Sequence, residues 1–194
     1  MKTLTKTIKV MGIGGAGINV LNSLNLTSAS NIGYLAIDTS KPLGRSRMNR
    51  KIQIGVTGTD GNPTVGQVMA EQSKELIDAL QNVSDIVLFC GTGGGCGSGV
   101  SPVVAKLAKQ MGIKVYAVVT FPFQHEGPVR FLQATQAVAK LQEYADSVKV
   151  ILNESINLKI KDDLTTPLTT AFGLIDKEMQ LEIDSLIEFV SNNA

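Results

Sequence analysis

Tryptophan is absent from this sequence, aromatic residues make up only 5%, and the formal net charge is +1. A nucleic-acid-binding domain usually carries a clustered basic excess and aromatic platforms for base stacking. Nucleic acid is therefore not an expected partner. One histidine, His125, and two cysteines, Cys90 and Cys96, are too few for a zinc site or a disulfide scaffold. No run approaches the roughly 18 apolar residues of a membrane helix, and Met1 to Thr7 is polar, without the apolar core of a signal peptide. No membrane insertion and a cytoplasmic setting are expected. The P-loop pattern G-x-x-x-x-G-K-[ST] is also missing.

Glycine is in excess, at 19 of 194 residues, and it is clustered. The clusters mark loops with special backbone needs rather than disorder. Hydrophobic residues at 43% and charged residues at 18% describe a globular chain long enough for a core. Apolar runs at Ile8–Ile13, Ile32–Ile37, Lys51–Val56, Asp85–Cys90, Ile113–Thr120 and Val148–Leu152 read as strands. Between them Gly17–Leu24, Thr64–Leu80, Pro102–Met111 and Gly127–Tyr144 read as helices. From about Thr165 to Asn192, Leu168, Phe172, Ile175, Met179, Ile183, Leu186 and Val190 step by three or four, one face of a long helix. The fold class is α/β: a three-layer, doubly wound, mostly parallel sheet ending in a long helix. The basic stretch Thr39 to Arg50, with Lys41, Arg45, Arg47 and Arg50, reads as a solvated loop.

In a doubly wound sheet, ligands bind beyond the carboxyl ends of the strands, where the glycine clusters fall. The first, Gly12-Ile13-Gly14-Gly15-Ala16-Gly17, matches G-x-G-x-x-G at a strand-to-helix turn. Glycines there admit phosphate oxygens to the backbone, and the helix N-terminus supplies free N–H groups. Asp38 lies about twenty residues on, where a dinucleotide fold keeps its ribose-binding acid. Alone, this region favours NAD over a ligand-free tight turn.

The second cluster changes the balance. Gly91-Thr92-Gly93-Gly94-Gly95-Cys96-Gly97-Ser98-Gly99 holds six glycines within nine residues. Such a run can form an anion-binding nest of successive N–H groups, with Thr92, Cys96 and Ser98 turned to the same anion. A close-packed backbone crossing is the alternative. Pro102 suits the first turn of the following helix. A third loop, Gly58 to Gly66, offers Asn62 as N-cap and Pro63 at N1, either as a capped helix start or as another pocket wall. In Phe121 to Arg130, Glu126 and Arg130 stand four apart, as a plain ion pair or a ribose-and-phosphate pair.

In this order the four loops resemble the tubulin/FtsZ superfamily of GTPases, FtsZ more than tubulin, over nearly the whole chain. The signature GGGTG[ST]G appears as Gly93-Gly94-Gly95-Cys96-Gly97-Ser98-Gly99, GVGGAGGN as Gly12 to Asn19, GNPEVG as Gly61 to Gly66, and TKPFxFEGxxR as Thr120 to Arg130. The resemblance implies GTP or GDP with Mg²⁺ bridging phosphate oxygens. It implies phosphate contacts from Gly14, Gly15, Ala16, Gly91, Gly93, Gly94, Gly95, Cys96, Gly97 and Ser98. The Gly58 to Asn62 loop, with Asp60, Gly61 and Asn62, would sense the γ-phosphate through its backbone. Glu126 and Arg130 would meet ribose and phosphate, and Asn19 and Asn153 the base or sugar. Asp38, Phe172 and Asp176 complete the nucleotide-binding set. Among the departures from the family, Cys96 replaces a Thr, Ile18 a Gly, Phe121 a Lys, and Asp38 an Asn. Asp176 and Lys177 stand where the family has Asn-Asp.

Residues 1–164 are expected to form the nucleotide-binding domain and residues 165–194 the family's central helix. The second domain and the loop of catalytic acids are absent from this sequence. No catalytic residue and no protein metal site are assigned, and hydrolysis by the chain alone is expected to be weak. Partners implied are a guanine nucleotide and a homo-oligomer or FtsZ-like filament. Two other readings stand: a degenerate interaction module that binds nucleotide weakly or caps filaments, and an NAD(P)-binding Rossmann protein.

Overall fold

The computed structural model describes residues 7–24, 26, 29–39, 41–155 and 168–192. Among these residues six strands form one all-parallel sheet: β1 (Ile8–Ile13), β2 (Ile32–Asp38), β3 (Lys51–Gln53), β4 (Asp85–Gly91), β5 (Lys114–Phe121) and β6 (Ser147–Leu152), in the order β3-β2-β1-β4-β5-β6. The central strands are continuous β-branched and aliphatic runs because both faces are covered. All six residues of β1 are buried, and Ile13 pairs with Ile37 on one side and Cys90 on the other.

Among the described residues, six α-helices cover the sheet: α1 (Gly14–Ser23), α2 (Pro63–Glu71), α3 (Lys74–Ala79), α4 (Gly95–Gln110), α5 (Pro128–Tyr144) and α6 (Leu168–Asn192). Alternate strand residues feed two core layers. Met11, Ile13, Leu88 and Val119 pack with Leu76 of α3, Val104 and Ala108 of α4 and Leu141 of α5. Val10, Val87, Phe89 and Val118 pack on the other face with Ile18 and Leu21 of α1 and with Met179, Ile183, Ile187 and Val190 of α6. Chain order reverses at β1 and β4, so α1 and α4 leave adjacent strands toward opposite faces. A crevice opens at such a switch point.

Several boundaries differ from expectation. The stretch expected as one helix, Thr64–Leu80, is two, because Ser73 adopts extended backbone and its hydroxyl accepts the Leu76 N–H at 3.4 Å. β3 ends at Gln53 rather than Val56, since Gly55 turns the chain at φ +74°. α1 begins at Gly14 rather than Gly17. α4 begins at Gly95, which places Pro102 inside the helix instead of in its first turn. The expected start at Thr165 lies outside the described residues; helix is described from Leu168.

The early start of α4 gives part of the glycine run a packing role. A Cβ at Gly97 would fall on the Gly91 carbonyl, and one at Gly99 on the Pro63 carbonyl. In α1 a Cβ at Gly17 would stand 2.7 Å from the Phe89 carbonyl oxygen. These glycines let α1, α2 and α4 approach backbone directly, as the close-packed crossing requires. Gly15 and Gly94 differ: a Cβ on either meets nothing within 4 Å.

This contrast is measurable. Gly99→Ala forces α2 and α4 apart at an overpacking cost of about 1–3 kcal/mol, a Tm drop of roughly 2–12 °C for a chain of this size. Gly15→Ala should leave Tm unchanged or slightly raised, as alanine favours helix over glycine. Equal losses in thermal unfolding would contradict the assignment.

Candidate functional site

At the carboxyl edge of the sheet lies a cavity of about 450 Å³, within the usual range for small-molecule sites. The ends of β1, β2, β4 and β5 and the first turns of α1 and α4 bound it, through Ile13 to Ala16, Asp38, Thr39, Gly91, Thr92, Gly94 to Gly97 and Thr120. Thr59, Glu126, Arg130, Asn153 and Phe172 close the sides.

The first amides of a helix lack intrahelical partners, and this protein treats its helices differently. Asn62 caps α2, its side-chain oxygen accepting the Thr64 N–H at 2.9 Å, and Ser73 caps α3. Neither α1 nor α4 has a side-chain cap; their N-cap residues are Ile13 and Gly94. Both N-termini reach the cavity wall. Two positive dipole ends and two sets of free amides thus face one space, with Gly15 and Gly94 leaving it open. The arrangement suits a ligand with several anionic oxygens.

Of the residues expected at the site, the cavity wall collects Gly14, Gly15, Ala16, Asp38, Gly91, Gly94, Gly95, Cys96, Gly97, Glu126, Arg130, Asn153 and Phe172. The others stand off it. Gly93 and Ser98 bond to each other: the Ser98 hydroxyl accepts the Gly93 N–H at 2.8 Å. Both are buried, and the Ser98 oxygen shapes the loop as an acceptor. Thr92 is on the wall, but its hydroxyl donates to the Thr120 carbonyl at 2.6 Å. Asp60, Gly61 and Asn62 are exposed and off the wall, and their loop reaches it through buried Thr59. Asn19 is exposed one helical turn beyond Gly15, and Asp176 lies one turn beyond Phe172.

The titratable groups are held closely. The Glu126 carboxylate accepts the Phe123 N–H at 2.8 Å and pairs with Arg130 at 2.6 Å, so the plain ion pair exists, and it stands at the cavity rim. The Asp38 carboxylate, 3% exposed, accepts the Thr39 N–H at 2.6 Å. Burial, and then the Asp38 charge, pushes the Cys96 thiol far above its usual range, so the sulfur is a neutral wall group. Asn153 is 5% exposed, and its side-chain oxygen has no hydrogen-bond partner among the described residues. Phe172 meets Phe123 edge-on at 5.6 Å, and Phe123 stacks on His125 at 5.0 Å. Burial raises the Asp176 carboxyl to about 6.

Two wall threonines, Thr39 and Thr120, were not singled out in the sequence. Thr39 stands just after β2 and Thr120 near the end of β5. Strand-end position was the available signal. Thr92 and the loop that holds Thr59 were expected at the site.

Residues 7–161 match the Tubulin/FtsZ family, GTPase domain. Among solved structures, the chain is similar to FtsZ of M. jannaschii, solved as an empty dimer, with 33% identity and a TM-score of 0.88 over 98% of this chain and 57% of that one. A mutant of the same FtsZ matches at 34% identity and TM-score 0.87, over 96% of this chain and 57% of that chain. CetZ2 from Haloferax volcanii, in a GTPγS-bound protofilament, shares the fold at 22% identity and TM-score 0.80, over 93% of this chain and 57% of that one. The chain thus spans little more than half the length of these relatives.

Two outcomes follow from the geometry. Gly94→Val fills open space between the two helix N-termini, so affinity for a phosphate-bearing ligand should fall at least about 100-fold, with ligand-free Tm changed by less than about 2 °C; a valine variant that binds normally in calorimetry would remove the loop from the site. Asp176, raised in the folded state, favours its neutral form, so its contribution to stability is present below about pH 4 and lost as pH rises through about 6. Asp176→Asn should raise Tm at pH 8 and leave it unchanged at pH 4. A gain equal at both pH values would contradict the burial account.

Proposed function

The chain belongs to the tubulin/FtsZ family, as a GTPase domain, and from that premise we propose that it binds GTP or GDP with the phosphates seated between the N-termini of α1 and α4. One observation carries the reading: two uncapped helix N-termini face one cavity, and the glycines beside it leave space no packing demands. The amides of Gly15, Ala16, Gly95, Cys96 and Gly97 donate to phosphate oxygens. Arg130 adds positive charge at the rim, and Glu126, once its pair with Arg130 loosens, accepts from ribose hydroxyls. Phe172 offers a ring face to the base. Asp176 accepts from the donor edge of guanine, and Asn19 and Asn153 bond base or sugar. The Asp60–Asn62 turn, with Asp60 at φ +46° and Gly61 at φ +76°, directs backbone groups toward the γ-phosphate.

Bound Mg²⁺ supplies charge neutralisation at the phosphates. The cavity wall has two carboxylates, Asp38 and Glu126, and the described residues contain no cluster of three metal-ligating side chains. That donor set suits an ion held mainly by phosphate oxygens and water.

Hydrolysis also needs a group that orients the attacking water. The two wall carboxylates, Asp38 and Glu126, belong to the nucleotide's own binding side. We propose that the orienting acid comes from a second subunit and from a segment outside these 194 residues, which therefore turn over GTP slowly at any concentration. The cytoplasm is the setting that suits such a protein; among the described residues no helix is long and apolar enough to cross a membrane. An interaction module with weakened nucleotide binding is the second reading, favoured by Cys96 in place of a phosphate-bonding hydroxyl. NAD binding is not favoured. The strand order suits a dinucleotide, but residues 7–161 match the Tubulin/FtsZ GTPase domain.

Calorimetry with GTP, GDP, ATP and NAD in parallel tests the proposal. Guanine nucleotides should bind at least about tenfold tighter than ATP, with NAD undetected, and phosphate release per molecule should stay slow and independent of protein concentration. NAD binding without guanine-nucleotide binding would overturn the assignment. Turnover that climbs steeply with concentration would place the orienting acid within these residues.

A further inference from the structure

The basic segment after β2 is built rather than loose. A 3₁₀ turn spans Lys41–Arg45, and Leu43, Ser46 and Met48 are buried. Asn22 of α1 clamps it: its side-chain amide donates to the Arg45 carbonyl at 3.0 Å and its oxygen accepts the Arg47 N–H at 2.8 Å. The Arg47 guanidinium returns a bond to the Asn22 carbonyl. Burial of the alternate positions turns Arg45, Arg47, Arg50 and Lys51 outward. From Lys41 to Lys51 there are five basic residues and no acid, against +1 for the whole chain. None of these four forms an ion pair among the described residues. The concentration of charge is felt locally: burial first, and then the Arg50 charge, lowers the pKa of Lys9.

This patch runs into an open sheet edge. β3 is the last strand on its side, pairing only with β2 among the described strands. The Ala36 N–H bonds the Arg50 carbonyl, and the Ile54 N–H bonds the Asp38 carbonyl. By the alternation of a parallel ladder, the backbone groups of Lys51 and Gln53 therefore point away from the sheet. Just beyond the strand, Val56 is 92% exposed. Lysine on a short edge strand ordinarily discourages pairing. Here Arg50 and Lys51 repel a second copy of the same edge while attracting a strand of opposite charge, so the edge discriminates among partners.

We propose that the free edge of β3, flanked by Arg45, Arg47, Arg50 and Lys51, docks an acidic, extended polypeptide segment that adds to the sheet as a further strand. Backbone groups of Lys51 and Gln53 pair with the incoming chain, its carboxylates meet the arginines and lysine, and Val56 gives an apolar residue a contact. The outward backbone donors and acceptors favour a polypeptide over a lipid surface or a nucleic acid, neither of which completes a strand ladder.

The test uses the full chain and a fluorescent octapeptide of alternating glutamate and valine, read by anisotropy. Binding should weaken at least about tenfold between 50 and 200 mM salt if several charges contribute. Arg50→Glu with Lys51→Glu should weaken it at least about tenfold. Gln53→Pro removes an outward donor without touching the ladder to β2, and should weaken binding similarly, whereas Gln53→Ala should not. If the proline variant unfolds, N-methylation of alternate peptide residues blocks the same pairing from the other side and should abolish binding. Failure of the peptide to bind, binding indifferent to both proline and N-methylation, or wild-type preference for phosphatidylserine vesicles or an oligonucleotide would each overturn the proposal.

Discussion

Two helix N-termini without caps, facing one another across a cavity, are the constraint on which the site depends. Each exposes unpaired amides and a partial positive charge. Two such ends side by side favour an anion between them. The sheet imposes the meeting. β1 and β4 are parallel neighbours from which the chain winds outward in opposite directions, so α1 and α4 begin side by side on opposite faces. The capped starts of α2 and α3 show that the same chain satisfies its helix amides where no ligand is to be met.

The glycine runs serve two physical purposes that composition does not separate. At Gly17, Gly97 and Gly99 the absent side chain is replaced by another backbone, and substitution means a clash. At Gly15 and Gly94 it is replaced by open space. The first group sets helices close enough for the amides to converge, and the second leaves the convergence empty. The close-packed crossing and the anion nest, alternatives in the sequence, coexist in one loop.

Strand positions were legible because fully buried parallel strands are unbroken apolar runs, and β1 and β2 fall within a residue of the sequence reading. Helix starts at Gly14 and Gly95 were not, since glycine reads as loop wherever tertiary packing overrides its low helix propensity. The glycine loops were legible as a set, while their local bonding was not. The Ser98 hydroxyl accepts the Gly93 N–H within its own loop. Of the third loop, Gly58 to Asn62, Thr59 reaches the cavity wall and Asp60–Asn62 stand off it. The threonines at strand ends escaped notice because threonine is common in strands for its branching alone, and only the topology distinguishes those at the carboxyl edge.

The central claim is that backbone amides at the starts of α1 and α4 hold the phosphates, and amide chemical shifts report on it most directly. In ¹⁵N-labelled protein titrated with GDP and Mg²⁺, the largest changes should fall together on Gly15, Ala16, Gly95, Cys96 and Gly97, with increased protection of these amides from solvent exchange. The capped starts of α2 and α3 serve as internal references and should move little. Saturable GDP binding that leaves either of the two N-termini unperturbed, or that centres on another part of the sheet edge, would contradict the account.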